Sequence, residues 1–341
     1  MRNLKEKNIV ELIEEEVEKN IIRESLIENG DKLIVAVSGG PDSICLLNVL
    51  YTIRRKMRVN YGIEYSLIVA HVNHMLREES EDEKVYVENI CKNLEIPFYY
   101  LKKDVRNLSK QEKMSEETYG RKIRYEFFNE VLEKEKAQKI VTAHNANDDV
   151  ETILLNLFRG CGLKGLTGIE FQYKNIIRPL MTVEKKDIME YNILKNLNPC
   201  IDRTNFELIC PRNKVRNALI PELEKEYNPN ILKSILRMKN ILIEDENFLN
   251  NYTLNVVKQS IIEYNEYIKF NYSELIKEHV AIKNRAIREI IKLKLHDLDG
   301  LTNIHINDIL DLLENGIKGK KYIMGNKFKI EIINKNIAIL Y

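Results

Sequence analysis

The spacing of hydrophobic and polar residues over roughly the first 200 positions predicts alternating strands and helices. Short β-rich runs are separated by stretches with helical periodicity, which is typical of a parallel sheet covered by helices. The predicted strands are Leu33–Ser38, Ser66–Asn73, Phe98–Val105, Lys139–His144 and Asn175–Met181, and the predicted helices are Ser43–Lys56, Ser80–Leu94, Glu116–Glu135, Asp148–Arg159 and Val183–Lys195. The fold class is therefore α/β, with a doubly wound, parallel five-stranded sheet.

The spacing changes after about residue 217. Apolar residues then recur every three or four positions, which predicts long amphipathic helices over Pro221–Tyr272 and further helices near Val280–Leu295 and Ile306–Leu313. The last stretch, Lys321–Tyr341, has the pattern of a small β-hairpin with a Gly-Asn turn. We therefore expect two domains: a catalytic α/β domain at 1–217, and a mainly helical domain at 218–341 that ends in a small β-hairpin.

Composition excludes several classes of protein. With 44% apolar and 31% charged residues, the 341-residue chain is neither a disordered polymer, a collagen-like repeat nor a disulfide miniprotein. No apolar run approaches the ~20 residues of a membrane-spanning helix, and the N-terminal stretch lacks the apolar segment of a signal peptide. The five cysteines contain no CxxC pair, which argues against a zinc ribbon or an iron–sulfur site. We expect a cytoplasmic protein.

The net charge of +1 conceals an uneven distribution. Residues 277–294 carry six basic and two acidic side chains, and residues 314–341 carry the same numbers. Local clusters of this kind can attract a polyanion even when the whole chain is neutral. Lysine-rich solvated faces are nevertheless common, so the pattern alone does not establish a nucleic-acid partner.

A glycine turn between the first predicted strand and the first helix carries the clearest chemical signature. Its sequence is Ser38-Gly39-Gly40-Pro41-Asp42-Ser43. In a doubly wound sheet, phosphates bind at this turn on the free N–H groups of a helix N-terminus. The Asp42 carboxylate would repel a bare polyphosphate, which indicates Mg²⁺ between them. A capped helix after a glycine turn is the structural alternative. The GxxxxGKS/T and GxGxxG motifs are both absent.

The turn resembles the pyrophosphate-binding loop of the N-type ATP pyrophosphatases, which cleave ATP between the α- and β-phosphates on an adenine nucleotide α-hydrolase-like fold. The following segments narrow the resemblance to the tRNA(Ile)-lysidine synthetases, in a short form without the extra C-terminal domain. His71-Val72-Asn73-His74-Met75-Leu76-Arg77, with Ser80 and Asp82, is similar to the HVNHxLRxxSxxD segment of that family. A polar strand end before an acidic helix is the alternative explanation.

Two later segments continue the resemblance. Glu117, Arg121 and Arg124, with Tyr125, resemble an ExxxRxxRY helix, although a surface ion-pair stripe has the same spacing. The segment from His144 to Thr152, followed by Arg159-Gly160, is similar to AHHxDDQxET…RG and retains His144, Asp148 and Glu151. Carboxylates at a helix start also complement the helix dipole. Asn145, Asn147 and Asp149 depart from the pattern, which puts a role for Asn145 and Asn147 in doubt.

The remaining motifs are rich in arginine. Arg178-Pro179-Leu180 resembles the RPLL of the family, and Asp202-Arg203-Thr204-Asn205, Arg212-Asn213-Lys214-Val215-Arg216 and Pro221 resemble its DxSN…RNxxR…P segment. Thr204 replaces a serine, and the tryptophan often found upstream is absent. The cations Arg212, Lys214 and Arg216 suit nucleotide or RNA phosphates.

The resemblance implies ATP-dependent ligation of L-lysine to C2 of the wobble cytidine of tRNA(Ile) with a CAU anticodon. The reaction passes through an adenylated tRNA and gives lysidine, AMP and pyrophosphate; it changes the codon read from AUG to AUA and the tRNA identity from Met to Ile. ATP is a substrate and Mg²⁺ a cofactor. Since family members are often dimers, a homodimer is compatible with the resemblance.

The resemblance also assigns site residues. The candidate catalytic residues are Asp42, Arg121, Arg124, His144, Asp148 and Glu151; the candidate ATP-binding residues are Ser38, Gly39, Gly40, Pro41, Asp42, Ser43, His71, Asn73, Arg159 and Gly160. Lysine binding is assigned to Asp148, Glu151 and Glu117, tRNA binding to Arg178, Arg203, Arg212, Lys214 and Arg216, and Mg²⁺ binding to Asp42.

Other functions stay open. A tRNA 2-thiolation enzyme of the same superfamily needs a persulfide-carrying cysteine or a cluster-binding CxxC; no such pair occurs, but Cys161 directly follows Arg159-Gly160. Amide-forming synthetases of the superfamily would not need the second domain. A non-catalytic adenine-nucleotide-binding module would not need this set of charged residues together: Asp42, Asp148, Glu151, Arg121 and Arg124.

Overall fold

The structure, a computed structural model, describes residues 8–75, 80–200, 210–295, 298 and 300–341. The chain divides into two compact units, one that ends at Lys239 and one that comprises Asn240–Tyr341. The sequence-predicted boundary at 217/218 thus falls inside the first unit, between the segment that carries Arg212 and Arg216 and the start of a long helix. Within the described ranges, no helix combines the length and apolarity that a bilayer crossing requires.

The first unit alternates strands and helices. In chain order its elements are α1 (Ile9–Arg23), β1 (Lys32–Ala36), α2 (Pro41–Tyr61), β2 (Ser66–Asn73), α3 (Ser80–Asn93), β3 (Phe98–Lys102), α4 (Val105–Gln111), α5 (Glu116–Glu135), β4 (Lys139–Val141), α6 (Ala146–Phe158), α7 (Leu163–Leu166), β5 (Gln172–Tyr173), β6 (Ile176–Ile177), α8 (Lys185–Leu194), α9 (Pro211–Lys214), a π-helical turn (Val215–Leu219) and α10 (Ile220–Glu226). Helix α11 (Ile231–Ser260) begins in this unit.

The sheet of the first unit has the strand order β3-β2-β1-β4-β6-β5. All neighbours pair in parallel except β5, which pairs antiparallel with β6 at the edge. The predicted α/β class is confirmed, with a sixth strand added. The predicted strand Asn175–Met181 is shortened to Ile176–Ile177, because Asn175 lies in the turn after β5 and the chain from Pro179 to Met181 forms turns.

Alternate residues of β1 enter different cores, which explains its continuous apolar run. Leu33 and Val35 pack into the core that includes residues of α1, α2 and α8, whereas Ile34 packs with Phe127 and Phe128 of α5. The sheet is therefore covered on both faces, as the apolar runs predicted. The direction of the strand order reverses between β1 and β4, and ligands of such sheets bind at the carboxyl ends of the strands at this point.

The second unit contains a five-stranded antiparallel sheet as well as helices. After α11 come β7 (Ile261–Tyr264), β8 (Ile268–Asn271), a 3₁₀ turn (Leu275–Lys277), α12 (Val280–Leu295), α13 (Asn303–Asn315), β9 (Lys321–Met324), β10 (Phe328–Ile332) and β11 (Ile337–Leu340). The strand order is β7-β8-β11-β10-β9. Helices α12 and α13 share a core with the sheet.

Two expectations for this region need correction. The helix predicted to continue to Tyr272 ends at Ser260, because Ile268 and Phe270 alternate with polar residues and form a buried strand face. The predicted hairpin at Lys321–Tyr341 forms β9 and β10 and continues into β11, which pairs with β8. The hairpin is thus part of a larger sheet, since its apolar face needs a partner layer.

Candidate active site

The glycine turn lies between β1 and α2, as predicted. Gly39 has a φ of +91°, in the left-handed region that favours glycine, and α2 begins at Pro41 directly after Gly40. The Ser38 and Ser43 hydroxyls lie 3.2 Å apart, and Ser43 donates to the carbonyl of Gly40 at 3.0 Å. Gly40 offers no side-chain cap to the first N–H groups of α2. The turn therefore presents backbone and hydroxyl donors suited to phosphate.

Asp42, in the first turn of α2, is held by an ammonium group that the sequence analysis missed. Lys185 Nζ lies 2.7 Å from Asp42 Oδ1 and 2.6 Å from Oδ2. Burial raises the pKa of Asp42, and the charge and hydrogen bonds of Lys185 act in the opposite direction. Lys185 is the first residue of α8, where the helix dipole disfavours a cation. The sequence shows a cation near a helix start but does not show which carboxylate it meets.

Asn145 and Asn147, which depart from the family pattern, have clear structural roles. Asn145 accepts hydrogen bonds from the backbone N–H groups of Asn147 and Asp148 and so caps α6. Its Nδ2 donates to Asp42 Oδ1 at 3.1 Å. Asn147 Oδ1 accepts from the backbone N–H of Lys185 at 2.8 Å. The two asparagines thus connect the start of α6 to both charged groups at the glycine turn.

Asp148 and Glu151, the predicted acid pair, lie on the first turns of α6 and are bound by two arginines. Arg216 Nε lies 2.6 Å from Glu151 Oε1, and Arg212 Nε lies 2.7 Å from Oε2. The Nη2 atoms of both arginines lie within 3.2 Å of Asp148 Oδ1. The Glu151 side chain is 1% exposed, against 34% and 36% for the two arginines. Residues predicted for lysine binding and for tRNA binding therefore form one cluster.

The arginines come from a helix with an irregular turn. Arg212 lies in α9 and Arg216 in the π-helical turn that follows. Pro221 cannot donate a backbone hydrogen bond to the preceding turn, which interrupts the regular α-helical ladder. Burial by itself would lower the pKa of Arg216, but the hydrogen bonds and charge of Glu151 outweigh it, and the pKa is raised. The arginine therefore stays charged in the cluster.

His144 lies just before the cap of α6. Its Nδ1 is 3.0 Å from the Thr142 hydroxyl. Burial lowers the pKa of His144 to about 4, although the charge of Asp148 acts to raise it. Arg178, Arg212 and Arg121 add to the lowering through their positive charges. The imidazole is consequently neutral near pH 7 and able to accept a proton.

Arg178, predicted to bind tRNA, is buried. Its side chain donates from Nη1 to the carbonyl of Glu170 at 2.7 Å, and its Nε is buried with no hydrogen-bond partner among the described residues. A buried guanidinium with an unused donor is costly unless it meets a ligand or water. The buried Arg178 side chain is therefore better placed to contact a substrate group inside the site than an RNA phosphate outside it.

His71 and Asn73 are buried at the end of β2, beside the glycine turn. His71 Nδ1 donates to the carbonyl of Val37 at 2.8 Å, and its Nε2 has no partner among the described residues. Asn73 donates to the Tyr100 hydroxyl, and the rings of His71 and Tyr100 stack at 5.8 Å. Burial lowers the pKa of His71. His71 therefore supports, in its neutral form, the residue that precedes the turn.

The remaining predicted residues lie at the far end of α6, on exposed helix faces, or outside the described residues. Arg159 and Gly160 follow α6, about 16 Å along the helix axis from Asp148 at 1.5 Å per residue, so they are not brought to the glycine turn. Arg121, Arg124 and Glu117 are exposed on α5, and Lys214 is exposed on α9. Arg203 and its motif neighbours Asp202, Thr204 and Asn205 lie outside the described residues, as do Leu76 and Arg77.

Asp149, the third departure from the family pattern, forms a buried ion pair. Lys239 of α11 donates to Asp149 Oδ2 and to the carbonyl of Ile169. The other carboxylate oxygen accepts from the N–H of Ile169 at 2.7 Å. Both side chains are almost fully buried, with 1% and 6% exposure. Asp149 thus attaches α6 to α11 and does not join the acid pair.

The donor set near the glycine turn suits one mode of metal binding. Among the described residues, no group of three or more His, Cys, Asp or Glu side chains could hold a metal ion. Asp42 is a single, half-buried carboxylate that already attracts a cation. This arrangement fits Mg²⁺, which is commonly held by one or two carboxylates together with substrate phosphates. The residues therefore fit a metal that arrives with a nucleotide.

Comparisons with known proteins identify the family to which the chain belongs. Residues 7–223 match the family of the PP-loop domain. The chain is 39% identical over 308 residues to a tRNA(Ile)-lysidine synthase of Caldanaerobacter subterraneus subsp. tengcongensis, covering 90% of this chain and 64% of that protein. It is 36% identical over 345 residues to a tRNA(Ile)-lysidine synthase of Clostridioides difficile, covering 97% and 73%. The chain thus spans between 64% and 73% of the length of these two relatives.

A solved structure extends the comparison to the fold. The U34-tRNA thiolase NcsA from Methanococcus maripaludis, with its 4Fe–4S cluster, superposes with a TM-score of 0.56 at 20% identity. The similarity covers 69% of this chain and 80% of the thiolase. At this level of identity the similarity shows a common fold and no more. The five cysteines of this chain all lie among the described residues and form no disulfide there; Cys45 and Cys91 are buried, and burial raises the pKa of both thiols.

Proposed function

Since the chain belongs to the tRNA(Ile)-lysidine synthase family of PP-loop proteins, we propose that it ligates L-lysine to the wobble cytidine of a tRNA(Ile) with a CAU anticodon. The lysine ε-amine becomes bonded to C2 of the base, and the product is lysidine. ATP is consumed and leaves as AMP and pyrophosphate. We propose that the reaction takes place in the cytoplasm.

The chemistry needs activation because cytosine is a poor electrophile at C2. In the proposed first step, O2 of the cytosine attacks the α-phosphorus of ATP, and the bond to the bridging oxygen of pyrophosphate breaks. In the second step, the lysine amine attacks C2, the C2–O2 bond breaks, and AMP leaves with that oxygen. One site must therefore hold pyrophosphate next to an ammonium-binding group.

The observation that carries the proposal is the hydrogen-bonded chain from the glycine turn to the acid pair. Asn145 donates to Asp42 through Nδ2, and its backbone N–H donates to Asp148 Oδ2 at 3.1 Å. A nucleotide phosphate on the turn and an ammonium ion at Asp148 and Glu151 would thus be held by neighbouring elements. Simple nucleotide binding requires the turn and gives no reason for the acid pair beside it.

The glycine turn would bind the β- and γ-phosphates through the N–H groups of α2 and the serine hydroxyls. Asp42 would hold Mg²⁺, which supplies charge neutralisation for the phosphates when it is bound. Arg121 and Arg124, on one face of α5, would offset charge on the reacting groups. His71 would hold the strand end in place and offers Nε2 as a polar contact toward the nucleotide.

Lysine binding requires the acid pair to exchange partners. Glu151 is inaccessible while Arg212 and Arg216 cover it, so a substrate ammonium must take the place of at least one guanidinium. Both arginines are about one-third exposed and can exchange a carboxylate for an RNA phosphate. We propose that tRNA phosphates draw these arginines away and thereby open the lysine site after the RNA has bound.

The lysine ε-amine must also lose a proton, because its reference pKa is about 10.4. We propose His144 as the base: burial keeps it neutral, it lies before the cap of α6, and departure of Arg212, whose charge lowers the pKa of His144, would make the imidazole a stronger base. Asp148 and Glu151 would hold the ammonium before the transfer. Additional tRNA contacts are proposed for Lys214, for Arg203 and for residues 218–341, where two basic segments occur.

One assay tests the proposal against its alternatives. The purified chain is incubated with ATP, labelled lysine and a tRNA(Ile) transcript with a CAU anticodon, and AMP, pyrophosphate and RNA-bound label are measured. The proposal predicts one AMP and one pyrophosphate per lysine incorporated, and no incorporation into a transcript with a changed wobble base. Sulfur incorporation would indicate a thiolase, and nucleotide binding without turnover would indicate a binding module.

A further inference from the structure

Lys185 occupies an unusual electrostatic position. It is the first residue of α8, where the positive end of the helix dipole disfavours a cation. Its ammonium group nevertheless lies within 2.7 Å of both oxygens of Asp42. Arg216 acts on Asp42 only through its charge, without a direct hydrogen bond among the described contacts. Lys185 is therefore the cation in direct contact with the carboxylate at the glycine turn.

The binding partner of the Lys185 ammonium group depends on what is bound at the glycine turn. Without nucleotide, the ammonium neutralises Asp42. A polyphosphate with Mg²⁺ brings a second cation to Asp42 and several anionic oxygens to the N-terminus of α2. The ammonium group then has a stronger partner in the phosphate than in a carboxylate already paired with a metal.

We propose that Lys185 is a pyrophosphate-binding residue, whose ammonium group moves from Asp42 to the phosphates when a nucleotide occupies the Ser38–Ser43 turn. This inference rests on the proposed function and names a residue of its phosphate site that the sequence motifs do not include. The residue contacts substrate, so it would act in catalysis by stabilising the leaving pyrophosphate.

The surroundings of Lys185 allow such a movement. Its backbone N–H is fixed by Asn147 Oδ1, and α8 is attached to α2 by the hydrogen bonds from Asn192 to the Pro41 carbonyl and from Tyr191 to Asn48. The side chain itself is 37% exposed and flexible. The ammonium can therefore change partners at the turn without displacing the helix.

Binding of inorganic pyrophosphate and of α,β-methylene-ATP, each with excess Mg²⁺, is measured by calorimetry on the full chain. Lys185→Met should weaken both by at least tenfold, because a hydrogen bond to a charged group is lost, whereas Lys185→Arg should retain most of the affinity. The matched control is Lys186→Met, since Lys186 follows on the same helix but pairs with Glu184 at 2.7 Å and is 69% exposed. Its affinities should equal those of the wild type.

A double-mutant cycle separates phosphate contact from mere neutralisation of Asp42. If Lys185 contacts phosphate, Lys185→Met must still weaken pyrophosphate binding by several-fold in an Asp42→Asn background. If Lys185→Met no longer weakens pyrophosphate binding in the Asp42→Asn background, Lys185 only neutralises Asp42 and the inference is overturned. Thermal unfolding of each variant verifies that the compared proteins are folded.

The proposed function and this inference fail in different ways. A wild-type chain that binds neither pyrophosphate nor the ATP analogue would overturn both. Wild-type binding that Lys185→Met leaves unchanged would overturn the inference alone and leave the proposed function standing.

Discussion

The guanidinium of Arg216 spans the carboxylate of Glu151, with Nε 2.6 Å from Oε1 and Nη2 2.9 Å from Oε2. This geometry is bidentate and places a protein cation where the proposed reaction needs the substrate ammonium. Asp148 and Glu151 and the two arginines, 61 to 68 residues apart in sequence, therefore form a single ion-pair cluster.

Glu151→Gln should abolish lysine transfer while leaving adenylation of the tRNA detectable. The amide cannot hold an ammonium ion as the carboxylate does, but the glycine turn is untouched. Single-turnover reactions with α-labelled ATP and labelled lysine measure the two steps separately. Glu130→Gln, on the exposed side of α5, is the control and should behave like the wild type. Equal loss of both steps in Glu151→Gln would contradict a role in lysine binding.

Arg216→Ala should increase the affinity for free lysine in the absence of tRNA, because the acid pair loses part of its cover. The same variant should bind tRNA more weakly, and the slope of log affinity against log salt should become shallower by about one. Calorimetry with lysine and filter binding with tRNA at several salt concentrations measure both effects.

Lys214→Ala provides the comparison for that variant. Lys214 is exposed on the same segment, so its loss should affect tRNA binding and its salt slope but not lysine affinity. If Arg216→Ala had the same lysine affinity as the wild type, as is expected for Lys214→Ala, the exchange of partners at Glu151 would be refuted.

His144 should make the protein less stable in acid. Its pKa is about 4 when folded and about 6.5 when unfolded, so the unfolded chain binds the proton first as the pH falls. The stabilisation is complete above pH 6.5 and is lost as the pH falls toward 4, with a magnitude of about 3 kcal/mol.

His144→Asn should consequently flatten the decrease in unfolding free energy between pH 7 and 4. Urea unfolding at a series of pH values measures the decrease. The exposed His279, in the second unit, supplies the control variant His279→Asn, which should retain the wild-type profile. A profile for His144→Asn that parallels the wild type over this range would show that the folded histidine is not held neutral.

Lys239→Met should destabilise the first unit by about 3–5 kcal/mol, because it leaves the Asp149 carboxylate buried without its cation. Asp149→Asn in addition should recover part of the loss, since the amide oxygen can still accept from Ile169. Denaturant unfolding of the single and double variants measures the coupling. Additive losses would indicate that the two side chains do not form the buried pair.

Local sequence determined the parts of the site that lie on one segment. The glycine turn was located correctly because strand, glycines and helix start are consecutive, and the i, i+3 spacing of Asp148 and Glu151 brought both to the start of α6. The Lys185–Asp42 contact joins residues 143 positions apart, and no local pattern indicates which helix start will face the turn. Tertiary packing alone supplies that information.

The remaining errors have similar causes. The family pattern, which has a histidine at the position of Asn145, indicates no role for this residue, yet the Asn145 amide oxygen caps α6 and the Nδ2 of the same amide reaches Asp42. The strands after Ser260 were predicted as helix because a 30-residue amphipathic helix precedes them without a proline or glycine between. Their pairing with the C-terminal strands decides the conformation there.

The bond of ATP that is broken tests the account most directly. With α-labelled and γ-labelled ATP, tRNA(Ile) transcript and lysine, the nucleotide products are separated and counted. Binding of the phosphate tail at Ser38–Ser43 predicts labelled AMP and intact pyrophosphate in equal amounts, dependent on the tRNA. Formation of ADP and inorganic phosphate instead would contradict it.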